Sequence, residues 1–299
     1  MVTEKQFFPI KESTSDKGMK KAFIIRNILL LSFLLGGQIL SAKSIKYNIL
    51  TFNVTNQEKE EKSMPWTDRS TLICKALRGL HPDVIALQDA DSIQFADLTQ
   101  GLPEYATATG GTHKANINPI LYNPERLNVI SGGVHDITTH ESVSIPGQEG
   151  KTIASVRWVF LQDKKGGGSM LVVNTQLQET EERFLINGIT QLKTFLGKMI
   201  NQTPILLAGD FQNTDEHPFY NILCSHFIKL NDCWKQAKKA KGQPSTFNNF
   251  QEESQDRIVD FIFASEDFDV KSAQITKAQK AGQYYSCHNI LSSEVILKK

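Results

Sequence analysis

LVVNTQLQETEER, residues 171–183, runs from apolar Leu171, Val172 and Val173 into Asn174, Thr175 and Gln176, then turns acidic. An apolar β-branched run that ends in polar residues and is followed by a helical pattern reads as a buried strand of an α/β sheet, with its C-terminal end open to ligands. A hydrolase would be expected to place His, Asp or Glu at such a tip. Here the tip carries Gln176, an amide that neither takes up a proton nor holds a charge.

Working outward, the same kind of run recurs along the chain. Strands are expected over 44–54, 83–88, 119–123, 126–134, 154–163, 169–177, 203–211, 257–265 and 290–297, most of them rich in Val, Ile, Leu and Phe and bounded by Gly, Pro, Asn or Asp. Amphipathic helices are expected over 68–80, where Leu72, Ile73, Ala76, Leu77 and Leu80 form one stripe, and over 179–200, behind an acidic first turn. A shorter helix is expected over 217–224, and KKGGG, 164–168, reads as a hairpin turn. No Pro/Gly/Ser linker and no repeat divides the chain, so one domain from residue 43 to 299 is expected.

The first 42 residues read differently. Lys20 and Lys21 precede IIRNILLLSFLLGGQIL, which reaches small residues at Ser41 and Ala42, the pattern of a secretory signal peptide behind an N-terminal extension. The apolar core is short for a membrane span, which needs ~20 residues. Export is therefore expected, with no transmembrane domain after processing. Of the chain's 33 basic and 32 acidic residues, six and three lie in this segment, leaving 27 against 29. A nucleic-acid binder advertises a basic face, and this domain has none in sequence. Cys74 falls on a helical apolar stripe as a core thiol, Cys224 and Cys233 flank a short strand-like run with their pairing left open, and no CxxC zinc pattern exists.

Polar residues gather at the strand ends. Asn53 ends LTFNV, Gln88 and Asp89 end DVIALQD, Asn174 and Gln176 end VVNTQL, and Asp210 and Gln212 end ILLAGDFQ. Asp260 lies in IVDFIF, and Ser286, Cys287 and His288 precede the last strand. Each is weak alone, since Asn and Asp at strand ends are usually turn residues. In this order they resemble the endonuclease/exonuclease/phosphatase family, whose marks are a strand ending T-[YF]-N, then P-D-[VI]-[IV]-x-L-Q-E, N-T-H, G-D-F-N, [IV]-D-[YF]-[IL] and S-D-H. The resemblance runs from about Ile45 to Leu297. It implies a four-layer α/β/β/α sandwich of two mixed β-sheets flanked by helices, hydrolysing phosphoesters with Mg²⁺ or Mn²⁺.

Carried over residue by residue, the resemblance makes Asn53 and Asp89 the metal side and His288, Asp260, Asp210, Gln176 and Gln212 the catalytic side. Asn53, Asp210, Asp260 and His288 keep the family residue. Asp89 stands for the glutamate, Gln176 for the histidine, Gln212 for the asparagine and Cys287 for the aspartate. Mg²⁺ demands near-ideal octahedral oxygen geometry, so a carboxylate shortened by one methylene matters, and a thiol is a poor ligand for it. Two readings stand: an exported, metal-dependent phosphoester hydrolase of weak or altered activity, or a catalytically silent member that binds a ligand or partner in the same cleft. The near-neutral charge points to a small-molecule, lipid or sugar phosphoester in preference to nucleic acid.

Overall fold

The computed structural model describes residues 44–56, 64–108, 118–138, 152–166, 168–177, 182–199, 203–225, 228–251 and 256–298. All lie in one compact unit, Ser44–Lys299. The N-terminal segment expected to be a signal peptide and Gly167 of the expected hairpin turn lie outside the described residues. No helix among the described residues is long and apolar enough to cross a membrane.

Fifteen strands are described. They are β1 Ile45–Asn53, β2 Val84–Gln88, β3 Ala106–Thr107, β4 Ile120–Tyr122, β5 Leu127–Thr138, β6 Thr152–Asp163, β7 Ser169–Leu177 and β8 Ile205–Asp210. They continue as β9 Leu230–Asp232, β10 Lys239–Lys241, β11 Asp260–Ser265, β12 Phe268–Thr276, β13 Gln279–Lys280, β14 Gln283–Tyr284 and β15 Ile290–Leu297. The helices are α1 Trp66–Gly79, α2 Ser92–Gly101, α3 Glu182–Met199, α4 Pro218–Cys224 and α5 Cys233–Gln236. One sheet has the order β10-β12-β15-β1-β2-β4-β3 and the other β5-β6-β7-β8-β11-β9, with β13-β14 a separate hairpin. Both sheets are mixed: β1 runs parallel to β2 and β7 parallel to β8, while the neighbouring pairs β1–β15 and β6–β7 are antiparallel.

The alternation of a strand explains the layers. In β1, Ile45, Tyr47 and Ile49 pack between the sheets, while Leu50 and Phe52 pack with Ile73 and Leu77 of α1 and Leu98 of α2. In β8, Leu206 and Ala208 face the other sheet, while Ile205 and Leu207 pack with Ile189 and Leu192 of α3 and Phe219 of α4. Fully buried leucines such as Leu206 and Leu207 each contribute about 2 kcal/mol through the water their surface no longer meets. Continued to the strand ends, the phase that faces between the sheets turns polar. It delivers Thr51 and Asn53, Gln88, Asn174 and Gln176, Asp210 and Asp260 to one end of the sandwich. Register brings the ends together: Asn53 sits beside Gln88, Gln176 beside Asp210, and Asp210 beside Asp260.

Gly209 of the GDF motif is required by this packing. A Cβ there would lie 2.1 Å from the Thr175 carbonyl oxygen of the neighbouring strand.

The elements depart from the sequence expectations in several places. Helix α1 begins at Trp66, behind Pro65, and β5 runs on to Thr138. Helix α2 and strand β12 fall outside those expectations altogether. The four cysteines are free thiols, so Cys224 and Cys233 do not pair; Cys233 is fully buried and Cys224 half-buried. Trp66 is buried and donates from Nε1 to Asp97 at 2.8 Å, a packing role.

Candidate active site

Asn53, at the end of β1, donates from Nδ2 to Asp210 Oδ2 at 2.9 Å, and its Oδ1 accepts the Thr55 N–H at 2.9 Å. Asp210, at the end of β8, accepts the Gln212 N–H on Oδ1 at 2.9 Å. That bond closes a turn in which Gln212 adopts φ +54°, and Asp89 after β2 likewise adopts φ +55°. Both strands therefore leave the sheet through a left-handed residue, a conformation that Asp tolerates better than most. Beside Asp210, at the start of β11, Asp260 Oδ2 accepts from His288 Nδ1 at 2.8 Å. The other imidazole nitrogen, Nε2, lies 4.0 Å from Asp210 Oδ2.

These three titratable groups are buried, and their ligand atoms lie within 4.8 Å of one another. Burial alone would lower the His288 pKa, but the charges of Asp260 and Asp210 reverse this and hold it well above its ordinary value. Burial raises Asp210, against the pull of His288 and of the Asn53 and Gln212 donors. Asp260 Oδ1 is buried with no hydrogen-bond partner among the described residues, an acceptor left over beside the cluster.

A second polar layer supports the first from below. Gln88 Nε2 donates to Asn174 Oδ1 at 2.6 Å and to Thr51 Oγ1 at 3.0 Å, and Asn174 Nδ2 donates to the Leu87 and Asn118 carbonyls. All three side chains are buried, so this network fixes the end of one sheet against the other. Phe247 closes a flank of His288, edge to face with ring centroids 5.2 Å apart, and the exposed Arg257 guanidinium stacks on Phe247 at 4.5 Å.

The structure thus brings Asn53, Asp210, Asp260 and His288 into one bonded cluster. Gln176 is half-buried and opposite Asp210 in register; Gln212 touches the cluster through its backbone N–H. Asp89 stands apart from the trio, half-buried one residue beyond Gln88, and accepts from Asn56 Nδ2 at 3.1 Å. Cys287 is buried, with Sγ 3.1 Å from Thr55 Oγ1. Sequence reasoning passed over Thr55, Arg69, Gln94 and Phe247. Of these, Gln94 had a signal as the third residue after Asp91 in a helix-capping box, Arg69 as a member of the 68–80 stripe, and Phe247 as part of STFNNF before the Asp260 motif.

Chemically, the cluster offers a carboxylate-oriented imidazole, a second carboxylate facing it, and hard oxygen donors on adjoining strand ends. Over residues 47–280 the chain matches the model of the Endonuclease/Exonuclease/phosphatase family. It is 24% identical over 216 residues to Carbon catabolite repressor protein 4 homolog 3 of Arabidopsis thaliana; the match covers 67% of this chain and 45% of that protein, less than half of the relative's length. Among solved structures, an endonuclease/exonuclease/phosphatase from Bacteroides vulgatus superimposes with a TM-score of 0.76 at 23% identity, over 85% of this chain and 100% of that one. The mannosyl-6-phosphatase of Bacteroides thetaiotaomicron does so with a TM-score of 0.72 at 18% identity, over 84% and 100%. At these identities the likeness is one of fold: two mixed sheets flanked by helices.

Proposed function

The chain belongs to the endonuclease/exonuclease/phosphatase family, and from that premise we propose that it is a divalent-metal-dependent phosphoester hydrolase with an altered active site. The observation that carries the reading is the His288–Asp260 pair at 2.8 Å, set against Asp210, which Asn53 holds from the other sheet. Asp260 fixes the imidazole so that Nε2 faces Asp210 across 4.0 Å, too far for a direct hydrogen bond. A water held between them would pass its proton to Asp210 while attacking phosphorus, and the protonated His288 would donate to a phosphoryl oxygen.

Asn53 Oδ1 and the Asp89 carboxylate, on adjoining strand ends, with the carboxylate of Asp210, would hold the cation. The donor set is hard oxygen, which suits Mg²⁺ or Mn²⁺ and not a soft metal. When bound, the ion offsets the negative charge that builds on the phosphoryl oxygens. Gln176 would donate a hydrogen bond to one of those oxygens without adding charge, which makes this site weaker than one with histidine there. A small-molecule, sugar or lipid phosphoester is the proposed substrate class, supported by the balanced charge of the domain. Export is proposed from the Lys20–Ala42 pattern.

Thermal unfolding with Mg²⁺, Mn²⁺ or EDTA, followed by a phosphoester assay on the same samples, tests this. A cation at 100 times its Kd stabilises the fold by ~2.7 kcal/mol. Stabilisation by Mn²⁺ that Asp89→Asn weakens, accompanied by turnover, is expected. Stabilisation without turnover would favour a silent binding protein, and neither effect would remove the metal from the account.

A further inference from the structure

We propose that Thr55 is a positioning residue that locks the His288 loop onto Asn53, through a hydrogen-bond chain whose direction is set by the donor at Cys287. The chain itself rests on hydrogen-bond geometry; its effect on turnover rests on the hydrolase reading above.

Thr55 is fully buried and adopts φ +61°, a left-handed conformation that a β-branched residue rarely takes. Its carbonyl accepts from Arg69 Nη2 at 2.6 Å and from Gln94 Nε2 at 3.0 Å, one donor from α1 and one from α2. Arg69 also donates to the Val54 carbonyl, and from Nε to the Tyr285 carbonyl at 2.8 Å. A single buried guanidinium therefore ties the segment after Asn53 to the segment before His288.

The protons of the loop can be assigned one by one. Ser286 has one hydroxyl hydrogen and gives it to the Asn53 carbonyl at 2.7 Å, while its oxygen accepts the His288 N–H at 3.0 Å. At the 2.9 Å contact between Thr55 Oγ1 and Ser286 Oγ, Thr55 must then be the donor. Thr55 Oγ1 accepts the Cys287 N–H at 3.1 Å, which leaves one lone pair for Cys287 Sγ at 3.1 Å, so the thiol donates. The chain runs from Cys287 to Thr55 to Ser286 to the Asn53 carbonyl. The Thr55 N–H separately holds Asn53 Oδ1, whose partner atom Nδ2 holds Asp210. A carboxylate at 287 can only accept. It would draw the Thr55 proton away from Ser286 and leave two oxygens facing each other with no hydrogen between them.

The test compares Thr55→Val, which removes the hydroxyl at constant volume, with Thr55→Ser, which restores it. Hydrolysis of bis(4-nitrophenyl) phosphate with Mn²⁺ is measured beside thermal unfolding of each variant. For Thr55→Val, kcat is expected to fall about 10–100-fold, the usual range for partners that orient a site, with KM within about two-fold. Thr55→Ser is expected to recover most of the loss. Wild-type kcat in Thr55→Val overturns the proposal. Should Thr55→Val not fold, Cys287→Ser, which can still donate, is expected to outperform Cys287→Asp, and equal turnover of the two overturns it. Should the wild type hydrolyse nothing, the hydrolase reading fails on its own. The chain is then read by NMR: the Asn53 side-chain amide and the His288 backbone amide shift in Thr55→Val and stay in place in Thr55→Ser, and unmoved signals in Thr55→Val overturn it.

Discussion

Asn53 Nδ2 and Asp210 Oδ2, 157 residues apart in sequence and in different sheets, meet at 2.9 Å and join the two halves of the sandwich at the site. Among the described residues, the bond gives Asp210 one donor and the Gln212 N–H gives it another. A carboxylate that burial already pushes toward protonation depends on such donors to remain an anion.

Asn53→Asp replaces the donor with a third buried carboxylate beside Asp210 and Asp260. In EDTA at pH 8 it is expected to lose about 3 kcal/mol, since the variant leaves buried charge uncompensated. Mn²⁺ should return more stability to this variant than to Asn53→Ala. Urea unfolding measures both, and equal stability of Asn53→Asp and wild type in EDTA would contradict the account.

His288 sets a pH dependence in the metal-free protein. Its folded pKa is raised well above the unfolded value of about 6.5, so folding favours the protonated ring. The stabilisation is fully present below about pH 6.5 and is lost as pH rises through the folded pKa. The stability gap between wild type and His288→Gln should therefore narrow on the alkaline side, as read by urea midpoints between about pH 6 and 10. A gap that widens with pH has the opposite sign and would sink this assignment.

Asp260→Asn keeps the shape of the side chain and removes the charge that orients and holds the imidazolium. Turnover is expected to fall about 10²-fold or more, the contribution of a positioned acid–base group. Circular dichroism and the melting temperature check that the fold survives.

At the opposite end of the sandwich, Arg126 donates to both oxygens of Asp83 at 2.9 and 3.0 Å and to Asp163 at 3.4 Å, and stacks on Tyr47 at 4.9 Å. Arg126→Met should cost about 2 kcal/mol, less than a fully buried pair because the Arg126 side chain is 30% exposed. It should leave kcat unchanged.

The site was legible in sequence because strand alternation ends in polar residues: the inward phase that packs Ile49 and Leu206 is the phase that presents Asn53 and Asp210. What escaped has physical reasons. In β12 the buried residues Phe268 and Val270 fall out of phase with Ala273 and Ile275 across a bulge, which breaks the two-residue period. In α2 only Gln94 and Leu98 are buried, too few for an apolar stripe, although the Asp91–Gln94 capping box was available. Arg69 falls on the apolar stripe of the 68–80 helix, three residues before Leu72 and four before Ile73, so its face was legible and its partners were not. Its burial follows from three carbonyls supplied by two distant loops, which no local pattern encodes.

The most direct test of the central claim is hydrolysis by residues 43–299 of a panel of phosphomonoesters and phosphodiesters with Mg²⁺, Mn²⁺ or EDTA, beside His288→Ala. Turnover that needs the metal and disappears in His288→Ala is expected. Turnover equal in wild type and His288→Ala, or absent from wild type with every metal, would contradict that claim.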